Sequence, residues 1–219
     1  ILPARYQIEH PADRLPKLAP ILTHSDQALF YREIVSHWKQ PEELVSGAIE
    51  PISAFTDKDC LPLLPGLAEL MMYLDMITYL PNDILTKVDR ATMAASLEAR
   101  VPLLDHRLVE FAWQIPTSLK RSSDGGKQIF RDVLYRYVPA QLLDRPKKGF
   151  GVPLESWLRG PLRDWGESLL SERKLQEAGF LDSNLVRTMW QQHLNGERRW
   201  HYYLWDVLMF QAWLEAEQR

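Results

Sequence analysis

The chain has 219 residues, fitting one domain or two small ones, a size that buries roughly 70% of the unfolded surface. Twenty-six basic residues against twenty-nine acidic ones leave a net charge of -3, which gives no global electrostatic case for nucleic acid or a membrane surface. Cys60 is the single cysteine, which excludes a disulfide framework and a thiolate metal cluster and fits a reducing, cytoplasmic setting.

No apolar run approaches the roughly 20 residues that span a bilayer. The opening "ILPARYQIEHPADRLPK" lacks a signal-peptide core, an initiator methionine and an evident cap, so the chain reads as cut from something longer. Its first 23 residues are proline-punctuated and expected to be extended or coiled. Ser25 is placed to cap a helix running to about Trp38, with Leu29, Phe30, Ile34 and Trp38 on one face. Four prolines at 41, 51, 62 and 65 then break residues 40–66 into turns around short helical pieces. Residues 1–66 are accordingly set apart as a proline-rich segment packing on a helical region, 67–219.

From Leu67 to Leu80, "LAELMMYLDMITYL" is apolar almost all round and predicts a buried helix. Pro81-Asn82 is expected to interrupt it, and Asn82 or Asp83 to cap the next helix, "DILTKVDRATMAASLEAR", whose apolar stripe is Ile84, Val88, Ala91 and Ala95. Asp105 is placed to cap "HRLVEFAWQI", and Lys127 to Val138 reads as another amphipathic helix. "LESWLRG", "PLRDWGESLL", "SNLVRTMWQQHL" and a long helix from about Glu197 follow. That last helix carries Trp200, Tyr203, Leu204, Val207, Leu208 and Trp213, mostly on one side. Strand-like alternation is nearly absent, so the fold class is mainly α.

The densest polar constellation is Asp83, Lys87, Asp89, Arg90, Glu98 and Arg100, in one helix-plus-loop segment. It reads either as a solvated helix face or as a site, since interspersed alanines allow close approach of another element. Arg100 is suited to clamp a carboxylate with both arms of its guanidinium. "SSDGGKQIF" imitates a phosphate loop but lacks the GxxxxGK[ST] spacing and a preceding strand, so it reads as a plain loop. Six histidines show no paired metal-ligand spacing, and no metal site built from protein side chains is expected. Lys147 and Lys148 stand between Pro146 and Gly149. Such a turn can hold an ammonium in a fixed place, where its compact charge suits phosphate oxygens; two solvated surface lysines are the other reading.

"DMITYLPNDILTKVDRATMAASLEARVPLLDHRLVEFAWQIP" and, downstream, "RPKKGFGVPLESWLRGPLRDW" resemble segments of the glutamine-hydrolysing asparagine synthetase family, in the same order and spacing. The resemblance covers about residues 65–215. It implies the helical C-terminal portion of an adenine-nucleotide α-hydrolase-like (PP-loop ATPase) synthetase domain. It further implies activation of the aspartate side chain by ATP with Mg2+, giving a β-aspartyl adenylate that ammonia converts to asparagine. In the family the ammonia comes from an N-terminal glutaminase domain. The lysine that stabilises developing phosphate charge corresponds to Lys147, with Lys148 its neighbour. Asp83 and Asp89 are candidates for ordering the ammonia or aspartate side, and Glu98, Arg100 and Asp105 for structural ion pairs at the helix exit.

The family's SGGxDS loop, its following GGY segment and the glutaminase domain are not among these 219 residues. The resemblance therefore implies that the nucleotide-binding sheet lies upstream in the same polypeptide. The isolated chain is expected to be inactive, with no nucleotide bound. Exposed apolar surface leaves a homodimer open. Two other readings remain beside the enzyme fragment: a stand-alone helical binding or assembly module, and a related synthetase forming an amide or lactam on another acid.

Overall fold

The computed structural model describes residues 26–217 except 46, 58, 60, 123, 124 and 145–150. They are mainly helical. The chain divides into two compact units: one joins the residues up to Leu61 with those from Gly151 onward, and the other is Pro62–Phe150.

Helix α1, Gln27–Val35, begins the first unit. Ser25 lies outside the described residues. The cap is Asp26, whose carboxylate accepts from the backbone N–H groups of Ala28 (2.9 Å) and Leu29 (3.1 Å). The buried face is Ala28 and Tyr31, while Ile34 faces solvent, so the expected Leu29–Phe30–Ile34–Trp38 stripe is rotated. The helix stops at Val35, short of Trp38, as Ser36 turns to an extended conformation.

After residue 150 the unit continues with α8, Leu154–Arg159, α9, Arg163–Leu169, α10, Glu172–Ala178, α11, Ser183–Leu194, and α12, His201–Glu217. (Helices α2–α7 belong to the second unit.) Leu158, Leu170, Leu175, Val186, Trp190 and Leu208 are fully enclosed. Each such side chain contributes about 1.5–3 kcal/mol on leaving water. Leu44 joins this core; an antiparallel bridge from Val45 to Leu181 and a 2.8 Å bond from Asp182 N–H to the Leu44 carbonyl bind the early segment to α11. Of the apolar residues expected on one side of α12, Leu204, Val207 and Leu208 are buried, but Trp213 is exposed. Trp213 instead leans on Phe210, which meets Phe180 edge-on.

The second unit contains α2, Leu67–Ile77, a π-helical turn, Leu80–Leu85, then α3, Thr86–Met93, and α4, His106–Gln114. Short helices α5, Thr117–Lys120, α6, Gln128–Leu134, and α7, Ala140–Leu143, complete it. Arg121–Ser122 and Gly125–Gly126 pair as a two-residue antiparallel ribbon, with Lys127 in a left-handed conformation at φ 64° before α6. The glycine-rich stretch is thus part of a hairpin. Helix α2 buries only Leu70 and Leu74, four residues apart, rather than all its faces.

Candidate functional site

The signature residues of the second unit fold around Pro81. A proline lacks an N–H and ordinarily ends a helix, yet here the chain widens by one π turn instead of breaking. Asn82 N–H still reaches the Thr78 carbonyl at 3.0 Å, and the Thr86 hydroxyl donates to the Pro81 carbonyl at 2.9 Å. Neither Asn82 nor Asp83 caps a helix, because the helical path never stops there. The expected run to Arg100 ends earlier, at Met93, with Ser96 left-handed at φ 57°.

Asp83 pairs with Lys87 at 3.6 Å across one helical turn, both side chains more than half exposed. Asp89 stands on α3 facing solvent, and among the described residues it makes no ion pair. Glu98 and Arg100 pair at 2.8 Å in the loop that follows. Asp105 does two things at once. It accepts from the Arg107 N–H at 2.9 Å, capping α4, and takes both arms of the Arg107 guanidinium at 2.9 and 2.7 Å. Those side-chain bonds hold its carboxyl below the usual aspartate range. Asp105 is therefore engaged by Arg107, not by Arg100.

Residues Arg100, Val101, Pro102, Leu104, Asp105 and Leu108 line an open hollow of about 860 Å³. Val101 and Leu108 of this lining are exposed, as are Leu97, Leu103 and Phe111 nearby in the sequence. The hollow is ligand-sized but not enclosed. Helix α4 is held to α2 by the Trp113 indole, which donates to the Met76 sulfur at 3.5 Å. The Thr117 hydroxyl donates to Glu69, which keeps that carboxyl below its ordinary range. Lys147 and Lys148 lie outside the described residues.

One cluster went unremarked in the sequence. Asp144, which follows α7, accepts from Arg131 (2.7 Å) and from the Tyr135 hydroxyl (2.7 Å), while Arg131 also donates to Tyr135 (3.2 Å). The hydrogen bond to Asp144 raises the Tyr135 phenol above its ordinary range. The i,i+4 spacing of Arg131 and Tyr135 was the available signal.

A profile of the asparagine synthase family matches residues 3–215. The chain belongs to the asparagine synthase family. It is 34% identical over 143 residues to "Asparagine synthetase [glutamine-hydrolyzing] 1" of Bacillus subtilis (strain 168), covering 65% of this chain and 22% of that protein. With "Putative asparagine synthetase [glutamine-hydrolyzing]" of Mycobacterium bovis (strain ATCC BAA-935 / AF2122/97) it is 39% identical over 145 residues, again covering 65% of this chain and 22% of the relative. "Amidase chyE" of Penicillium rubens (strain ATCC 28089 / DSM 1075 / NRRL 1951 / Wisconsin 54-1255) is 31% identical over 122 residues, 52% of this chain and 18% of that protein. The chain spans about a fifth of the length of the curated relatives it matches. No solved structure matches it.

Among the described residues no helix is long and apolar enough to cross a membrane.

Proposed function

We propose that this chain is the C-terminal helical portion of the synthetase domain of a longer cytoplasmic enzyme that makes asparagine from aspartate, ATP and glutamine-derived ammonia, releasing AMP and pyrophosphate. The family match over residues 3–215 carries this reading. The apolar surface of Leu97, Val101, Leu103, Leu108 and Phe111 supports it, because such a patch suits an interface with a further layer of the protein. The remaining layers are a nucleotide-binding sheet and a glutaminase domain of the same polypeptide.

In this reading Lys147 brings its ammonium to the phosphate charge that grows as the adenylate forms, and Lys148 flanks it. A preorganised cation at developing charge acts as an oxyanion-hole donor does. Asp83 and Asp89 present carboxylates from one helical path and are the candidates for ordering ammonia or aspartate. Glu98, Arg100 and Asp105 fix the loop between α3 and α4 through the Glu98–Arg100 and Asp105–Arg107 pairs. ATP brings Mg2+ with it. Among the described residues no group of three His, Cys, Asp or Glu side chains is placed to hold a metal.

A second reading is amide or lactam formation on an acid other than aspartate; one relative is named as an amidase, which puts amide-bond chemistry among the relatives without pointing to an acid. Pyrophosphate release by the full-length enzyme separates the two. Release that depends on aspartate supports asparagine synthesis. Release that ignores aspartate but answers another carboxylic acid replaces it with the second reading.

A further inference from the structure

We propose that the outer face of α12 is a self-docking surface, on which α12 of a second copy of this chain lies antiparallel about a two-fold axis. The inference does not depend on the function proposed above.

Helix α12 carries two opposed stripes. Leu204, Val207, Leu208 and Gln211 turn inward and are buried. On the other side Tyr202, Asp206, Met209, Trp213 and Ala216 follow at spacings of 4, 3, 4 and 3. All five are exposed, Tyr202 by 47% and Trp213 by 55%. This spacing is the seam along which one helix packs on another, and a helix apolar on nearly every side is one that is covered on every side. Phe180, half exposed, widens the face through its contact with Phe210, which leans on Trp213.

Charge and symmetry identify the occupant. Arg198 stands just ahead of α12, and Glu217 ends it. Arg198 rests on the Trp200 ring, and among the described residues neither it nor Glu217 joins an ion pair. Antiparallel docking brings each acidic end to the other's basic end, and the helix dipoles oppose as well. A parallel pair would set like charges side by side. One register does more: it places Tyr202 against Trp213 of the second copy, Met209 against its Asp206 and Arg198 against its Glu217. The two-fold axis repeats each contact, giving two aromatic pairs and two ion pairs. Asp206 is the polar position of the seam, its carboxylate held by His37 at 3.1 Å. A single polar residue there fixes register at some cost in stability. Another layer of the polypeptide, or an unrelated helix, would need none of this self-matching.

Sedimentation of the full-length enzyme over a concentration series tests the proposal, and a reversible dimer is expected. Trp213→Glu should weaken it about 30-fold with the far-UV circular dichroism unchanged. Arg198→Glu should weaken it about 5-fold, and adding Glu217→Arg should restore it. Direction is read by oxidation in a Cys60→Ser background, with the parent as control. Arg198→Cys and Glu217→Cys proteins should form a disulfide-linked dimer when mixed. Neither should do so alone, because equivalent positions lie about 28 Å apart along the paired helices. A monomer at every concentration overturns the proposal, as does a dimer indifferent to Trp213→Glu. Failure of the charge swap to restore the dimer, or linking of each cysteine variant with itself, overturns the antiparallel register.

Discussion

Gly166 of α9 faces the indole of Trp190 so closely that a Cβ on the glycine would lie 2.8 Å from the ring's Cη2. Trp190 cannot easily retreat, because it is fully enclosed and its Nε1 donates to Glu167, itself paired with Arg187 at 2.8 Å. Gly166→Ala is therefore expected to destabilise the first unit by about 1–3 kcal/mol, the cost of overpacking a filled core. Urea unfolding monitored by tryptophan fluorescence measures it. Gly151→Ala, where an added Cβ meets nothing within 4 Å, is the control and should shift the midpoint little.

His193 is expected to make stability depend on pH below the ordinary histidine value. Its ring is fully buried, and burial, with the Arg159 charge beside it, lowers its pKa from 6.5 to about 4. Below pH 6.5 the unfolded chain takes up a proton that the folded chain refuses until about pH 4. Stability is thus complete above the unfolded value and falls as pH drops through that window, by up to about 1.4 kcal/mol per pH unit. Denaturant titrations at pH 7, 6 and 5 should show the decline, and His193→Gln should flatten it. Glu69 and Asp105 also have lowered values, but their contribution is lost only as pH falls below unfolded values of 4.5 and 3.8. A decline that starts only there would assign the effect to carboxylates.

Lys147→Ala in the full-length enzyme is expected to slow adenylate formation by about 100- to 1,000-fold, leaving glutamine hydrolysis near normal. Lys148→Ala should have a far smaller effect. The reverse pattern would shift the phosphate-facing role by one residue.

Asp105→Ala removes the cap of α4 and the partner of Arg107 in one change. A lower thermal midpoint is expected, with partial recovery in Asp105→Asn, which keeps an acceptor for the Arg107 N–H but not the charge. Equal midpoints for all three proteins would show that neither bond matters.

Where local chemistry decides an element, the sequence was a good guide. Asp105 caps α4 as its position before an apolar-periodic run required, and the helical character and the family resemblance both hold. Pro81 departs from the expected interruption because a π turn absorbs its missing donor: the Asn82 N–H still reaches the Thr78 carbonyl and the Thr86 hydroxyl donates to the Pro81 carbonyl, so the helical path continues. The α12 pattern misled differently: that helix is apolar on nearly every side, so periodicity could not say that Trp213 would lie outside the core. Of the site, the Asp83–Lys87 pair follows from i,i+4 helical spacing, while the Glu98–Arg100 pair joins loop residues two apart, which no helical rule sets. The Arg131–Asp144 bond spans thirteen residues and depends on how α6 and α7 fold back, which no local rule foretells.

The first unit is built from both ends of the chain, with Pro62–Phe150 threaded between them. During synthesis the inserted stretch is fully exported before Leu44 can find Leu181 and Asp182. The outer core must therefore wait for α11 and α12, holding Leu44 unsheltered meanwhile. A ribosome paused before residue 183 would carry the whole of Pro62–Phe150 but only part of the first unit.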